Sequence, residues 1–311
     1  MKSLRRKILW AATIGFILMN VVAFFHAYKF THFADGKVVK TKSPERLGAG
    51  EKIAALLFGV NNPRPENLTV PSQPYQTIYL DGAKKIECWE IKSDSNARGT
   101  VVVFHGYSGN KSTMIDKADE FLKLGFNVLL VDFIGSGGSE GNQTTLGYKE
   151  AKDVKACFDY LKSKKEKNIV LFGTSMGAVA ILKAIDTYKL VPQKIILECP
   201  FGSMYETTAA RFRSMNVPSF PMAGLLVFWG GVQNGFWALG HKPVNYAQSV
   251  TCPVLLLYGE KDDKVSRAET DAIFANFKGK KQLQTYPEAG HENYLLKYRN
   301  EWVKDVTGFL E

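Results

Sequence analysis

Gly173-Thr174-Ser175-Met176-Gly177 is the stretch whose reading decides the fold. Before it, Asn168-Ile169-Val170-Leu171-Phe172 reads as a short buried strand, and residues 178–188 after it read as a helix. A serine on a tight turn between strand and helix is forced into a strained backbone. The glycines two residues to either side let neighbouring backbone come close. The turn pushes the hydroxyl out at the top of a sheet and at a helix N-terminus, where developing negative charge is favoured. A serine hydroxyl is a weak nucleophile at neutral pH, so a base and a carboxylate to orient it are expected further along the chain.

Working outward from that turn, residues 76–80, Asp81-Gly82 and residues 86–91 read as a β-hairpin. The runs 100–104, 127–131, 169–172, 194–197 and 254–258 are short and almost wholly apolar, as suits parallel strands covered on both faces. Amphipathic segments 111–124, 147–163, 176–188, 266–277 and 292–310 separate or follow them, and 283–286 is a last short strand. Alternating strands and helices predict an α/β fold with a doubly wound, mostly parallel sheet, whose ligands bind beyond the carboxyl ends of the strands. Between Pro200 and Pro253 the rhythm stops: no clear strand, and apolar stretches such as Leu225-Leu226-Val227-Phe228-Trp229. An insertion of that size is expected to be functional, here as a helical cap over the site at about 201–250.

Two loops after strands carry the expected partners. Gly259-Glu260-Lys261-Asp262-Asp263-Lys264-Val265 offers Asp262 and its neighbour Asp263, with Glu198 at another strand end a weaker rival. Gly290-His291-Glu292-Asn293 follows the last strand and makes His291 the general base and acid. With Ser175 as nucleophile, the order is serine, acid, histidine. Backbone N–H donors for an oxyanion are expected from Met176, just after the serine, and from Tyr107 in His105-Gly106-Tyr107-Ser108-Gly109. His105 itself reads as a residue that structures this loop.

Three competing motifs fail. Gly135-Ser136-Gly137-Gly138-Ser139-Glu140 has Glu140 where a dinucleotide loop needs its third glycine. Asn110 stands where a phosphate-binding loop needs glycine, and Leu295 where a zinc-protease helix needs histidine. No cofactor and no metal are expected.

The chain has 311 residues, is 45% hydrophobic and carries +10. Residues 1–50 hold nine Lys/Arg and two Asp/Glu, so +7 of that charge lies there, and no nucleic-acid motif accompanies it. Residues 8–28 contain no Lys, Arg, Asp or Glu. As a helix they reach roughly 30 Å, enough to cross a bilayer. Phe24-Phe25-His26-Ala27 lacks a small-x-small cleavage pattern, which favours a signal anchor over a cleaved signal. Lys2, Arg5, Arg6 and Lys7 precede the span, and Lys29, Lys37, Lys40 and Lys42 follow it. The nearest flank favours a single-pass protein with a cytoplasmic N-terminus and an extracytoplasmic catalytic domain. Residues 1–30 are thus flank and anchor. Residues 31–74, broken by Pro44, Pro63, Pro65, Pro71 and Pro74, are a stalk with one short helix near 50–58, and 75–311 are the catalytic domain. Cys88, Cys157, Cys199 and Cys252 show no paired or metal spacing and read as buried thiols.

On His105-Gly106, Asp132-Phe133-Ile134-Gly135-Ser136-Gly137-Gly138-Ser139, Gly173 to Gly177, Gly259 to Val265 and Gly290-His291, in that order, residues 75–311 resemble the α/β-hydrolase superfamily. They are most similar to its serine aminopeptidase-like and monoacylglycerol lipase-like branch. The resemblance implies a cofactor-free serine hydrolase with a cap after the sixth strand, and its spacing selects Asp262 over Asp263. Ala178 departs from it, standing where many relatives carry glycine. The expected substrate is a small-molecule carboxylic ester of lipid-like or small acyl type (EC 3.1.1), with the cap's apolar residues as an acyl tunnel or as packing. Arg211, Arg213, His241 and Lys242 are basic cap positions facing a head group or solvent. A serine peptidase or thioesterase with the same triad, or a non-catalytic binding protein on this fold, are the alternatives. The sequence sets no oligomeric state.

Overall fold

Sequence alternation becomes a layered architecture in the computed structural model, which describes residues 2–36, 38–42, 47–93 and 96–311. Lys37 and Pro44 lie outside the described residues. The chain runs α1 (Lys2–Thr31), α2 (Ala49–Phe58), β1 (Tyr75–Asp81), β2 (Lys85–Ile91), β3 (Thr100–Phe104), α3 (Ile115–Lys123), β4 (Asn127–Val131), α4 (Glu150–Ser163), β5 (Ile169–Thr174), α5 (Met176–Tyr188) and β6 (Lys194–Glu198). It continues through α6 (Met204–Ser214), α7 (Met222–Asn234), α8 (Pro243–Tyr246), β7 (Val254–Gly259), α9 (Arg267–Asn276), β8 (Lys281–Tyr286), α10 (Tyr294–Lys297) and α11 (Arg299–Leu310).

The eight strands form one sheet in the order β1-β2-β4-β3-β5-β6-β7-β8. β1 with β2 and β2 with β4 are antiparallel; the other five pairings are parallel. β3 and β7 are buried at every position, which is why their sequences read as unbroken apolar runs rather than alternating ones. Even so, successive residues face opposite layers. Val102 and Phe104 join the core beneath α4, α5 and α9, while Val101 and Val103 join the one beneath α3 and α11. Two of the helices start where side chains satisfy free N–H groups. Ser203 Oγ accepts from Glu206 N at the head of α6, and Ser266 with Glu269 forms a capping box at the head of α9.

β3 has β4 on one side and β5 on the other, so the winding reverses there. Loops leaving the carboxyl ends of β3 and β5 diverge at such a switch point and leave a crevice between them. The turn carrying Ser175 and the loop carrying Tyr107 leave from those two strands.

Between β6 and β7 the chain forms α6, α7 and α8 and no strand. Met204, Val227 and Ala238 of this insertion pack on Leu146, Val179 and Val265.

Parts of the N-terminal segment lie on the domain. The last turns of α1 lie along α7: Trp229 Nε1 donates to Asn20 Oδ1 at 3.1 Å, and Gln233 Nε2 donates to the Phe24 carbonyl at 2.7 Å. Phe33 N donates to Asn142 O, and the Arg64 guanidinium donates to the carbonyls of Gly137, Ser139 and Gly141. Phe33 and Arg64 thus strap the segment to the domain through backbone carbonyls that composition does not reveal. The opposite end of α1 projects clear. Ser3–Thr31 is long and apolar enough to cross a membrane, and 6% of its most apolar window is buried.

Candidate active site

Ser175 occupies the turn between β5 and α5 with φ 52° and ψ −110°, a left-handed strain that the surrounding backbone enforces. Its N–H donates to the Glu198 carbonyl at 2.7 Å. A Cβ on Gly177 would lie 2.5 Å from the Phe104 carbonyl oxygen, and one on Gly173 would lie 2.5 Å from the Gly177 backbone. Both glycines are therefore demanded by close approach: with any larger residue α5 would lift from β3 and β5, and the serine would tilt with it.

The loop after β8 brings His291 to this serine, with Nε2 3.0 Å from Ser175 Oγ. The loop after β7 brings Asp262 to the far side of the ring, with Oδ2 2.7 Å from Nδ1. A carboxylate there accepts the Nδ1 proton, which leaves Nε2 free to accept from the hydroxyl. Asp262 is held in turn, its Oδ1 accepting from the N–H groups of Lys264 and Val265 at 2.8 and 2.9 Å. Its side chain is fully buried. Burial works against the imidazolium of His291; the Cys199 sulfur and the Asp262 carboxylate beside it work in favour, and the balance lies above the ordinary histidine value.

The rival acids are elsewhere. Asp263 is exposed. Glu198 is buried under other duties, accepting from Trp302 Nε1 at 2.7 Å and Thr174 Oγ1 at 2.9 Å, with Lys117 at 3.4 Å.

Met176 opens α5, so its N–H has no intrahelical acceptor. Tyr107 lies in the loop that folds over the serine. An added Cβ on Gly106 would be 3.6 Å from Ser175 Cβ, and Gly109 N closes the turn on Gly106 O at 3.1 Å. His105 braces that loop, its Nδ1 against Gly106 O and its Nε2 accepting from Phe133 N. The Tyr107 hydroxyl donates to the Phe30 carbonyl at 2.8 Å and accepts from Asn62 Nδ2 at 2.7 Å. Its ring stacks on Phe30 at 4.7 Å. The loop above the serine is thus clamped by α1 and by the strap.

Two neighbours escaped the sequence reading. Cys199, at the end of β6, brings its sulfur close to His291 and Asp262, and their donor atoms lie within 4.8 Å of one another. Both nitrogens of His291 are already engaged, so this grouping reads as packing around the imidazole rather than a ligand set. The Tyr294 hydroxyl accepts from Gly259 N at 2.9 Å, fixing the loop that carries Asp262. Neither residue sits in a motif; only the fold brings them there. Of the basic cap residues, His241 is buried against Tyr246 and the Leu146 carbonyl, and burial pulls it down to about 4. Arg213 pairs with Glu206, and Lys242 is exposed. Arg211 alone reaches the cleft, in the wall of a cavity of about 280 Å³ that also holds Ser175 and His291.

Residues 95–227 match the family described as serine aminopeptidase, S33, and residues 208–300 match the dienelactone hydrolase family. The esterase Pf2001 of Pyrococcus furiosus superposes with a TM-score of 0.67 at 26% identity, covering 80% of this chain and 96% of that one. The chain carries the α/β-hydrolase fold. An esterase of Exiguobacterium antarcticum shares the fold at 18% identity and a TM-score of 0.56, over 75% of this chain and 99% of its own. Among sequences, the uncharacterized protein YqkD of Bacillus subtilis is 29% identical over 216 residues, 68% of this chain and 71% of its own. YfhR of Escherichia coli K12, also described as uncharacterized, is 26% identical over 246 residues, 74% of this chain and 78% of its own. Together these likenesses support a hydrolase.

Proposed function

We propose that this hydrolase cleaves a carboxylic ester by a serine mechanism, with Ser175 as nucleophile, His291 as general base and acid, and Asp262 as the orienting carboxylate. The observation that carries the reading is the unbroken relay from Ser175 Oγ through both His291 nitrogens to Asp262. Ser175 Oγ attacks the ester carbonyl carbon as its proton passes to His291 Nε2. The carbonyl oxygen takes the negative charge and turns towards the N–H groups of Met176 and Tyr107. A donor of that kind is worth about 10²–10³ in turnover. The bond to the alcohol oxygen then breaks, and that oxygen leaves with the proton from Nε2. Water attacks the acyl-enzyme, gives its proton to His291, and the carboxylic acid departs as Ser175 recovers its own.

The family name raises a second reading, an aminopeptidase. An α-amine in the cleft needs a free carboxylate near the serine. The wall holds Arg211, from the cap, and Lys264, from the loop after β7, and its two glutamates are engaged, Glu198 with Trp302 and Glu292 with Lys297. This charge pattern favours an ester.

α1 is proposed as an uncleaved membrane span with the domain on the extracytoplasmic side. Its last turns are hydrogen-bonded to α7 and clamp Tyr107, so removing them would strip the wall of the site. A panel of esters and amino-acid amides on purified full-length protein tests the reaction. Ester turnover that disappears in Ser175→Ala supports the reading; amide cleavage exceeding ester cleavage would replace it.

A further inference from the structure

A second cavity, of about 460 Å³, lies beside the one at Ser175 and shares Tyr107, Arg211 and Lys264 with it as walls. It falls within the range of about 300–1,000 Å³ typical of small-molecule sites. Most of its wall lies outside the sheet: Phe30 of α1, Leu56 of α2, Phe212 and Met215 near the end of α6, and Met222 and Leu226 of α7. This half is apolar. The other half is basic. The Arg211 guanidinium stands 4.8 Å from the Phe30 ring centre and 5.9 Å from that of Tyr107, and donates to the carbonyl and hydroxyl of Thr207. Lys264 faces it, and Lys40, hydrogen-bonded to Ser108, stands at the mouth. Burial, and then Lys264, pull Lys40 below its ordinary value. Among the described residues no carboxylate lies within pairing distance of Arg211, Lys264 or Lys40; Asp263 is felt at Arg211 only from further away. Cations left together without acids are a site for an anion.

The surroundings say where the ligand comes from. α2 lies against α1 and leaves Ile53, Leu57 and Phe58 exposed, so the apolar surface of α1 continues onto the rim of the cavity. We propose that this cavity binds a single-chain lipid ester with an anionic head group, its acyl chain lying between α1, α2 and the cap and its head group held by Arg211 and Lys264 beside Ser175. The inference rests on the ester reading above and adds a substrate class to it. The apolar helix then serves as one wall of the substrate site as well as a tether.

Two measurements on the full chain in lipid nanodiscs test it. In the Ser175→Ala protein, a diazirine-bearing palmitate should crosslink to peptides of α6, α7 and residues 47–60, and Leu226→Trp should remove that labelling. Crosslinks confined to residues 3–18, the end of α1 that projects clear of the domain, would overturn the proposal. In the active protein, the ratio of kcat/KM for palmitoyl-lysophosphatidylglycerol to that for monopalmitoylglycerol should fall about tenfold in Lys264→Gln and recover in Lys264→Arg. A ratio unmoved by Lys264→Gln would overturn the anionic part. Cavity labelling in a protein whose wild type cleaves no ester would sink the ester reading while leaving the lipid site standing; ester cleavage with no cavity labelling would do the reverse.

Discussion

The two faces of the cleft are built by different means. On the sheet side, Ser175, Asp262 and His291 each stand on the loop after a parallel strand, so sheet register sets their spacing. On the other side, Phe30, Asn62 and Arg211 come from α1, the strap and the cap, and meet only through tertiary contacts. In the proposed mechanism the chemistry stands on the sheet side and substrate contact on the side built from the loops and helices around it. Changes on the sheet side should therefore act on turnover for every substrate, and changes on the other side on the choice of substrate.

The largest effect tests the sheet side. Ser175→Ala or His291→Ala should lower turnover by roughly 10³-fold or more on every ester tried; a variant that loses only long-chain esters would erase the distinction between the faces. Next, Asp262→Asn should cost about 10²-fold or more while Asp263→Asn stays close to wild type, read from kcat on one short ester. The opposite pattern would move the acid to Asp263. A smaller, structural effect is expected at Gly177→Ala, which forces a methyl against the Phe104 carbonyl and should cost about 1–3 kcal/mol in denaturant unfolding. On the other face, Phe30→Ala removes a stacked pair worth about 0.5–1.5 kcal/mol from the Tyr107 loop. It should change KM for long-chain esters several-fold more than kcat for short ones.

The mildest test is pH. His291 must be neutral to accept the serine proton, and its value is raised, so the protonated form persists to higher pH and activity should climb through a midpoint above that of an ordinary histidine. Asp262→Asn removes the carboxylate charge and should move the remaining limb to lower pH. A wild-type midpoint at or below the ordinary histidine value would contradict the geometry.

How much of this was legible follows the same division. The strands could be read because residues buried on both faces, such as Val101 to Val103, leave no polar position to blur the run. Ser175 and His291 could be read because a strand-to-helix turn and a loop after a strand need glycine at fixed places. Asp262 against Asp263 could not be decided by local chemistry, since neighbouring aspartates on one loop differ only in which one the turn directs inward. Cys199 and Tyr294 reach the site from unrelated segments and carried no signal. The cap's apolar residues were ambiguous for a physical reason: Val227 and Ala238 pack on the domain and line the cavity at the same time, so packing and lining are not alternatives. The strap was hidden because Arg64 binds backbone carbonyls, which every sequence has.

The central claim is that the His291–Asp262 pair activates Ser175. Fluorophosphonate treatment of the full-length protein, with the adduct located by peptide mass spectrometry, tests it most directly. The account predicts one adduct, on Ser175, formed far more slowly in His291→Ala and absent in Ser175→Ala. An adduct on another residue, or labelling that persists in Ser175→Ala, would contradict it.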